Sequence, residues 1–348
     1  MPDSVLFVLP RFGIGGAERV AADILVYLRD QGLVVGAVAL DGTGTAAAAT
    51  GWFGSVCPTW SIARDAQMGP QIERLVADLD VSVLVLCGRS PAFRLLPRLL
   101  GCRPGLRVAS FQFNATQLRD EHSLYAPFID MVIAESFDAA AALTASGGIQ
   151  VPFQVIPSGV PVATLAARPR PPAAPEATVG YVGRFDRSKN PAGFLRMVHL
   201  LHRRNYRFVM AGPAPRHFRA PARITFAGPL LGEPLQQFID AIDILVVPSR
   251  NDGRPLIIQE AQARGIAVVA TAVGGIPELV ETEVTGLLCP AGDARALAAA
   301  VDRLATDRAL RLRLGQAGRA RVEREGDIAM ALPRYAAAIT GWSGRAAG

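Results

Sequence analysis

The segment GRFDRSKN, residues 183–190, holds the only lysine of the chain, Lys189, five positions after Arg184; the other 35 of the 36 Lys and Arg residues are arginines. It lies between a β-branched run, ATVGYV, and a helix-forming run, PAGFLRMVHLL. Two cations at the mouth of a strand and beside a helix N-terminus suit a diphosphate. A planar guanidinium and a compact ammonium would contact different phosphate oxygens. The same residues also fit a turn with ordinary solvated charges, so both interpretations stay open here.

The segment PSRNDGRPLIIQEAQARG, residues 248–265, adds two carboxylates behind a second predicted strand, DILVVPS. Asp252 and Gly253 lie in the loop, Pro255 stands where a first helical position is expected, and Glu260 follows eight residues after Asp252. Carboxylates so spaced can accept hydroxyl groups from two ends of one ligand, as a sugar and a ribose would offer. The next predicted strand leads to GGIPE, whose glycines let backbone approach a ligand and whose Glu278 can cap a helix.

The elements that must position these side chains alternate between strand and helix along the whole chain. Runs such as SVLFVLP, VSVLVLCG, YRFVMAG and IAVVATA alternate with helical periods, which is typical of parallel sheets with crossover helices. We therefore predict two Rossmann-like α/β domains facing a cleft, with ligands bound at the carboxyl ends of strands. The predicted divisions are an N-terminal domain at 1–165, a Pro-rich linker at 166–176, a second domain at 177–325, and a C-terminal helix at 326–348 that crosses back to the first domain.

Residues 177–290 resemble the nucleotide-sugar half of the retaining GT-B glycosyltransferases of family 4, the glycosyl transferases group 1. The family pattern is G-R-x4-K, then P-S-x2-E-G-x-P with a later E-A, then G-G-x-P-E. The resemblance implies that Arg184 and Lys189 bind the donor diphosphate and that Glu260 binds the ribose. Asp252 stands where the family usually has the Glu that contacts the donor hexose. The further donor-binding residues implied are Gly15 and Gly16 in the loop RFGIGGAERV, and Gly183, Gly253, Arg254, Pro255 and Leu256.

The first half departs from the family at one place. Members commonly carry a His after the strand that here reads RVASFQFN, where this chain offers Gln112 or Asn114 on the acceptor or sugar side. No side chain is therefore assigned as a general base. In the front-side retaining mechanism that the resemblance implies, the leaving phosphate takes the acceptor's proton, and the catalytic residues are Arg184, Lys189 and Asp252.

The resemblance implies a hexosyltransferase of polysaccharide biosynthesis that uses a nucleoside-diphosphate sugar, with UDP the expected nucleotide, and no metal or other cofactor. The expected acceptor is a glycan, a lipid-linked glycan or a small molecule. A sugar-nucleotide epimerase or hydrolase of the same architecture, an NAD-dependent oxidoreductase and a non-catalytic binding module are the alternatives. GIGGAE imitates a dinucleotide fingerprint but lacks its third glycine. The D-x-D at Asp78 and Asp80 imitates a metal motif, but it falls where a helix enters a strand, which favours solvated turn acids.

Composition and charge limit the cellular location and the binding partners that we expect. Half of the chain is apolar and the net charge is +6, and the four cysteines have no metal spacing, which favours a cytoplasmic protein. Residues 89–107, RSPAFRLLPRLLGCRPGLR, hold five arginines and no acid. They form either an ordinary crossover helix or a basic surface that rests on anionic lipid at the inner face of the membrane. Nucleic acid is not expected, because the arginines are not interleaved with stacking aromatic residues.

Overall fold

The computed structural model describes residues 4–13, 15–40, 53–113, 124–145, 151–166, 176–201 and 206–341. The chain divides into two compact units, of which the first comprises Met1–Ser158 with Ala329–Gly348 and the second Gly159–Ile328. Most of the predicted linker, residues 167–175, lies outside the described residues. Within the described ranges, no helix is long and apolar enough to cross a membrane.

The first unit is built on a seven-stranded sheet whose paired strands all run parallel. Its strands are β1 Ser4–Leu9, β2 Val34–Ala39, β3 Thr59–Ser61, β4 Val83–Cys87, β5 Arg107–Gln112, β6 Met131–Ala134 and β7 Phe153–Val155. Their order is β3-β2-β1-β4-β5-β6-β7. The helices of this part of the chain are α1 Gly16–Asp30, α2 Met68–Asp78, α3 Leu96–Cys102 and α4 Phe137–Thr144.

The second unit is built on a six-stranded parallel sheet. In chain order its elements are α5 Val162–Ala166, β8 Thr178–Val182, α6 Pro191–Leu200, β9 Arg207–Ala211, β10 Ile224–Phe226, α7 Gly232–Asp240, β11 Ile244–Val247, α8 Leu256–Ala263, β12 Ala267–Thr271, β13 Leu287–Cys289, α9 Ala294–Thr306 and α10 Arg308–Glu325. Strand order is β10-β9-β8-β11-β12-β13. The central strands are almost wholly apolar, because helices cover both faces of such a sheet.

Strand order decides where each unit can bind a ligand. In the second unit the chain winds outward from β8 through β9 to β10, then returns to β11 on the other side of β8. The loops after β8 and β11 therefore leave the sheet in opposite directions and open a crevice at the carboxyl ends of these strands. Both motif segments, 183–190 and 248–255, are these loops. The prediction of two Rossmann-like α/β domains is confirmed.

The last helix, α11 Ile328–Thr340, packs on the first unit. Tyr335 is fully buried there; its hydroxyl donates to the main-chain oxygen of Ile156 at 2.7 Å, and its ring centroid lies 5.4 Å from that of Phe111. Arg107 donates to the main-chain oxygen of Thr340 at 3.3 Å. The C-terminal segment thus completes the core beside β5 and β7 rather than extending the second unit.

Candidate functional site

The loop after β8 is fixed at its end by Asn190. This residue has a left-handed backbone, with φ 51°, and its side-chain oxygen caps α6 by accepting from the N–H of Gly193 at 3.2 Å. Its amide nitrogen donates to the main-chain oxygen of Pro248 at 2.9 Å, which ties the loop to the end of β11. Asn tolerates this conformation better than most residues because its side chain bonds locally. The two motif loops are therefore held together where the two strands end.

Asp186 organises the two cations of this loop. One carboxylate oxygen accepts from the backbone N–H of Lys189 at 2.9 Å, and the other accepts from Nε of Arg184 at 2.8 Å. Burial alone would raise the pKa of Asp186, but these hydrogen bonds and the two nearby positive charges outweigh it and lower the pKa below its ordinary value. Within the described ranges, the two Nη groups of Arg184 have no hydrogen-bond partner. They are therefore available to an anion.

Lys189 reaches across to the second loop. Its Nζ lies 2.6 Å from Oδ2 of Asp252, and the two side chains are 22% and 9% exposed. The hydroxyl of Ser249 donates to the same oxygen at 3.0 Å. Within the described part of the chain, the other oxygen, Oδ1, accepts no hydrogen bond. The structure thus brings together two residues that the sequence separates by 63 positions.

The paired glycines of GGIPE lie against the main chain of Asp252. Gly274 has φ 53°, and a Cβ atom built on it would lie 1.9 Å from the main-chain oxygen of Asp252. The N–H of Gly275 donates to that same oxygen at 3.2 Å. Gly274 thus admits the backbone of the loop that carries Asp252. The approach of a ligand to these glycines stays a prediction.

The remaining motif residues lie around the start of α8. Pro255 precedes the helix as its N-cap rather than standing at its first position, and Leu256 begins the helix. Glu260 is 5% exposed within α8. The guanidinium of Arg254, 8% exposed, has Nη1 3.8 Å from a carboxylate oxygen of Glu278. Glu278 thus ends the short 3₁₀ helix Ile276–Glu278, and its carboxylate forms an ion pair with Arg254.

Each motif loop contains one further candidate glycine, Gly183 in the loop after β8 and Gly253 in the loop after β11. Gly183 follows β8 directly, and its N–H donates to the main-chain oxygen of Ala211 at 3.0 Å. A Cβ on Gly212, which has φ 140°, would lie 1.9 Å from the oxygen of Gly183. The loops after β8 and β9 therefore pack backbone to backbone, and Gly253 is buried between Asp252 and Arg254.

The candidate residues of the first unit are placed by β1 and β5. Gly15 is the N-cap of α1, with extended backbone and no capping side chain, and Gly16 is the first residue of the helix. Gln112 ends β5, is 1% exposed, and its amide nitrogen donates to the hydroxyl of Ser110 at 2.7 Å. Asn114 lies outside the described residues. Uncapped N–H groups at a helix N-terminus suit an anion, and the binding of the donor phosphate by Gly15 and Gly16 stays a prediction.

The D-x-D motif is a turn in the structure. Asp78 ends α2, Asp80 has a left-handed backbone with φ 47°, and its carboxylate lies 2.6 Å from Arg103. In the described ranges, no group of three His, Cys, Asp or Glu side chains could hold a metal ion.

The basic segment 89–107 is also partly neutralised. Arg103 pairs with Asp80, and Arg98 lies 2.7 Å from Glu73. Both acids belong to segments N-terminal to the acid-free run. The stretch is therefore less positive in the fold than along the sequence.

Three comparisons with known proteins bear on this geometry. The family described as Glycosyl transferases group 1 matches residues 176–307. The matched residues lie within the second unit, which is similar to a Glycosyl transferases group 1 domain. They include both motif loops, Asp186, Ser249 and the GGIPE segment.

Curated relatives match part of the chain. The amylovoran biosynthesis glycosyltransferase AmsK of Erwinia amylovora is 40% identical over 99 residues, 27% of this chain and 24% of that protein. A D-inositol 3-phosphate glycosyltransferase of Corynebacterium aurimucosum is 35% identical over 156 residues, 40% of this chain and 37% of that protein. The matches span less than half of the length of these two relatives.

Solved structures match nearly the whole chain. Anabaena Alr3699/HepE, solved in complex with UDP-glucose, is 16% identical and has a TM-score of 0.81 over 97% of this chain and 100% of that one. At this identity the likeness shows the fold, which is that of the GT-B glycosyltransferases. The predicted resemblance to the glycosyl transferases group 1 is confirmed, whereas family 4 and retention of configuration stay predictions.

Gly274→Ala tests whether the close approach of Gly274 supports the Asp252 loop. The matched control is Gly292→Ala, because Gly292 has φ 80° but no atom within 4 Å of a built Cβ. Both substitutions place Ala in a left-handed conformation, which lowers the free energy of unfolding by about 1–2 kcal/mol. Only the Gly274 variant also meets the Asp252 oxygen, which adds about 1–3 kcal/mol. We expect a clearly larger fall in thermal midpoint for Gly274→Ala; equal falls would refute the role assigned to this contact.

Proposed function

We propose that this protein is a metal-independent retaining glycosyltransferase that moves a hexose from a nucleoside-diphosphate sugar, with UDP the expected nucleotide, to a glycan, lipid-linked or small-molecule acceptor. The observation that carries the proposal is the meeting of Lys189 and Asp252 at 2.6 Å, at the ends of the two central strands of a group 1 domain. One end of the site is cationic and the other carries an open carboxylate oxygen. A sugar diphosphate has the complementary order of groups.

Each side chain has a role in the proposed transfer. Arg184 and Lys189 bind the diphosphate and stabilise the negative charge that grows on it as the bond from the anomeric carbon to the phosphate oxygen breaks. Asp252 accepts a hydrogen bond from a hydroxyl of the donor hexose, and Glu260 accepts hydrogen bonds from the hydroxyls of the ribose. The acceptor oxygen bonds the anomeric carbon on the same face, and the leaving diphosphate takes its proton.

The remaining predicted donor contacts come from main chain. The two motif loops and the start of α8 contain Gly183, Gly253, Arg254, Pro255 and Leu256. Gly15 and Gly16 offer the N–H groups at the start of α1 to the donor phosphate. Gln112 and Asn114 stay proposals for the acceptor or sugar side. Because two fixed cations already face the diphosphate, the proposed reaction needs no metal ion to balance its charge.

The similar proteins support the donor and acceptor classes. The Anabaena protein was solved with UDP-glucose, and the Erwinia relative is named for amylovoran biosynthesis. From these we infer a UDP-sugar donor and a glycan acceptor for this chain. The experiment uses labelled UDP-hexoses and a panel of glycan acceptors, and follows UDP release and labelled product. Release of UDP only when an acceptor is present supports transfer. Equal release without acceptor would identify a hydrolase, and no release with any UDP-hexose would refute the proposal.

Lys189 is the residue whose substitution tests this proposal most sharply. Lys189→Ala should abolish UDP binding and most turnover, and it should lower the thermal midpoint of the free protein because the largely buried Asp252 loses its ion-pair partner. Parent protein with UDP at about 100 times its dissociation constant should gain ~2.7 kcal/mol of stability, and the variant should gain none. The matched control is Arg187→Ala, an exposed cation of the same loop that makes no hydrogen bond within the described part of the chain. An equal loss in both variants would show only a general effect of charge.

Lys189→Arg separates geometry from charge. A guanidinium retains the charge but cannot direct three tetrahedrally arranged donors from one compact atom, and the site leaves this side chain only 22% exposed. We expect a turnover at least about tenfold below the parent, the loss that follows from one misplaced charged hydrogen bond. Full activity of the arginine variant would mean that the single lysine has no special role.

The cytoplasmic location and the membrane contact through residues 89–107 also stay proposals. Arg94 is exposed and has no partner within the described ranges, whereas Arg98 and Arg103 are paired with acids. Each cation near an anionic surface contributes ~1 kcal/mol, so any such contact is weak and reversible. Parent protein should sediment with phosphatidylglycerol vesicles at low salt, and Arg94→Gln should reduce this more than Arg308→Gln, a control on an exposed arginine of α10. No binding by the parent would favour a soluble acceptor.

A further inference from the structure

The carboxylate of Asp252 is held through one oxygen only. Oδ2 receives the ammonium of Lys189 at 2.6 Å and the hydroxyl of Ser249 at 3.0 Å, whereas Oδ1 accepts no hydrogen bond within the described residues. Ser249 is 1% exposed, so its hydroxyl does not exchange this partner for bulk water. An asymmetric clamp of this kind fixes the rotation of the carboxylate and leaves one oxygen directed toward a ligand.

Ser249 is itself anchored. Its main-chain oxygen accepts from the hydroxyl of Thr271, at the end of β12, at 2.5 Å. The main-chain oxygen of Asp252 is fixed independently by Gly275 and by the close approach of Gly274. The backbone of Asp252 is therefore located by the loop after β12, and its side chain is held by Ser249, which Thr271 of β12 anchors. Rigid support of this kind is what a group needs to stabilise a transition state rather than merely to bind substrate.

We propose that Ser249 is a positioning residue of the reaction, which acts through Asp252: with Lys189 it clamps Oδ2, so that Oδ1 alone meets a hydroxyl of the donor hexose. This rests on the proposed function. Lys189 keeps its contact with Asp252 while it binds the diphosphate, because an ammonium carries three donors and the carboxylate takes one. The clamp thereby links the phosphate end of the donor to its sugar end.

The spacing of the two residues fits this arrangement. The side chain of Asp252 places Oδ2 at 3.0 Å from the hydroxyl of a serine three residues earlier in the same loop.

The test begins with single variants of Ser249 in the full chain. Ser249→Ala should lower kcat by at least about tenfold, the effect of losing a hydrogen bond to a charged group. The dissociation constant for UDP should stay within about twofold, because UDP carries no hexose for Oδ1 of Asp252 to contact. Ser249→Thr, which keeps the hydroxyl, should restore most of the turnover. The matched control is Ser188→Ala, which removes a hydroxyl that donates only to the main-chain oxygen of Asn251 in the same pair of loops.

A double-mutant cycle distinguishes positioning from general support. In the Asp252→Ala background, Ser249→Ala should change the residual turnover by less than about twofold, because the group it positions is gone. An equal loss in both backgrounds, a parallel loss of UDP binding, or an equal loss in Ser188→Ala would overturn the inference. A parent that neither binds UDP nor transfers sugar would refute the proposed function, whereas an active parent with an additive cycle would refute only the role of Ser249.

Discussion

The ion pair between Lys189 and Asp252 is the contact on which the rest of the site depends. Its two side chains are largely removed from water, at 22% and 9% exposed. Breaking such a pair by removing one partner leaves an uncompensated charge, which is strongly unfavourable. Its surroundings therefore have to hold both members, and they do: Asp186 holds the backbone of Lys189, and Ser249 holds the carboxylate of Asp252. All four residues belong to the second unit, whose two motif loops bring them into contact.

The sheet makes that meeting possible. Strands β8 and β11 are neighbours although they are far apart along the chain, and their loops diverge from one crevice. Gly212 and Gly274 each lie closer to another backbone segment than a residue with a Cβ atom could. They bring the loops after β9 and β12 against the two motif loops. Glycine is required at both positions because each combines a positive φ with a neighbour that occupies the place of Cβ. Local conformation and site geometry are thus decided by the same residues.

Much of this could be predicted from the sequence. Apolar runs and helical periods indicated two parallel-sheet units, and the G-R-x4-K and P-S-x2-D-G segments located both loops. Other features depend on contacts that no local pattern encodes. Gly274 and Gly275 contact the Asp252 backbone, and two arginines of 89–107, Arg98 and Arg103, pair with acids from α2 and the turn after it. Asp186 carries one available signal, an acid three residues before Lys189 that can accept its N–H. Ser249 is part of the motif, but its hydrogen bond to Asp252 depends on the conformation of the loop, which the motif does not encode.

The most direct measurement is a crystal structure of the protein with a bound UDP-hexose, or with UDP and the free hexose. We expect Nζ of Lys189 to lie within about 3.2 Å of both Oδ2 of Asp252 and a diphosphate oxygen. We also expect Oδ1 of Asp252 to lie within about 3.2 Å of a hexose hydroxyl oxygen. A complex in which Lys189 leaves Asp252 on binding the phosphate would contradict the clamp. A diphosphate bound away from Arg184 and Lys189 would contradict the site itself.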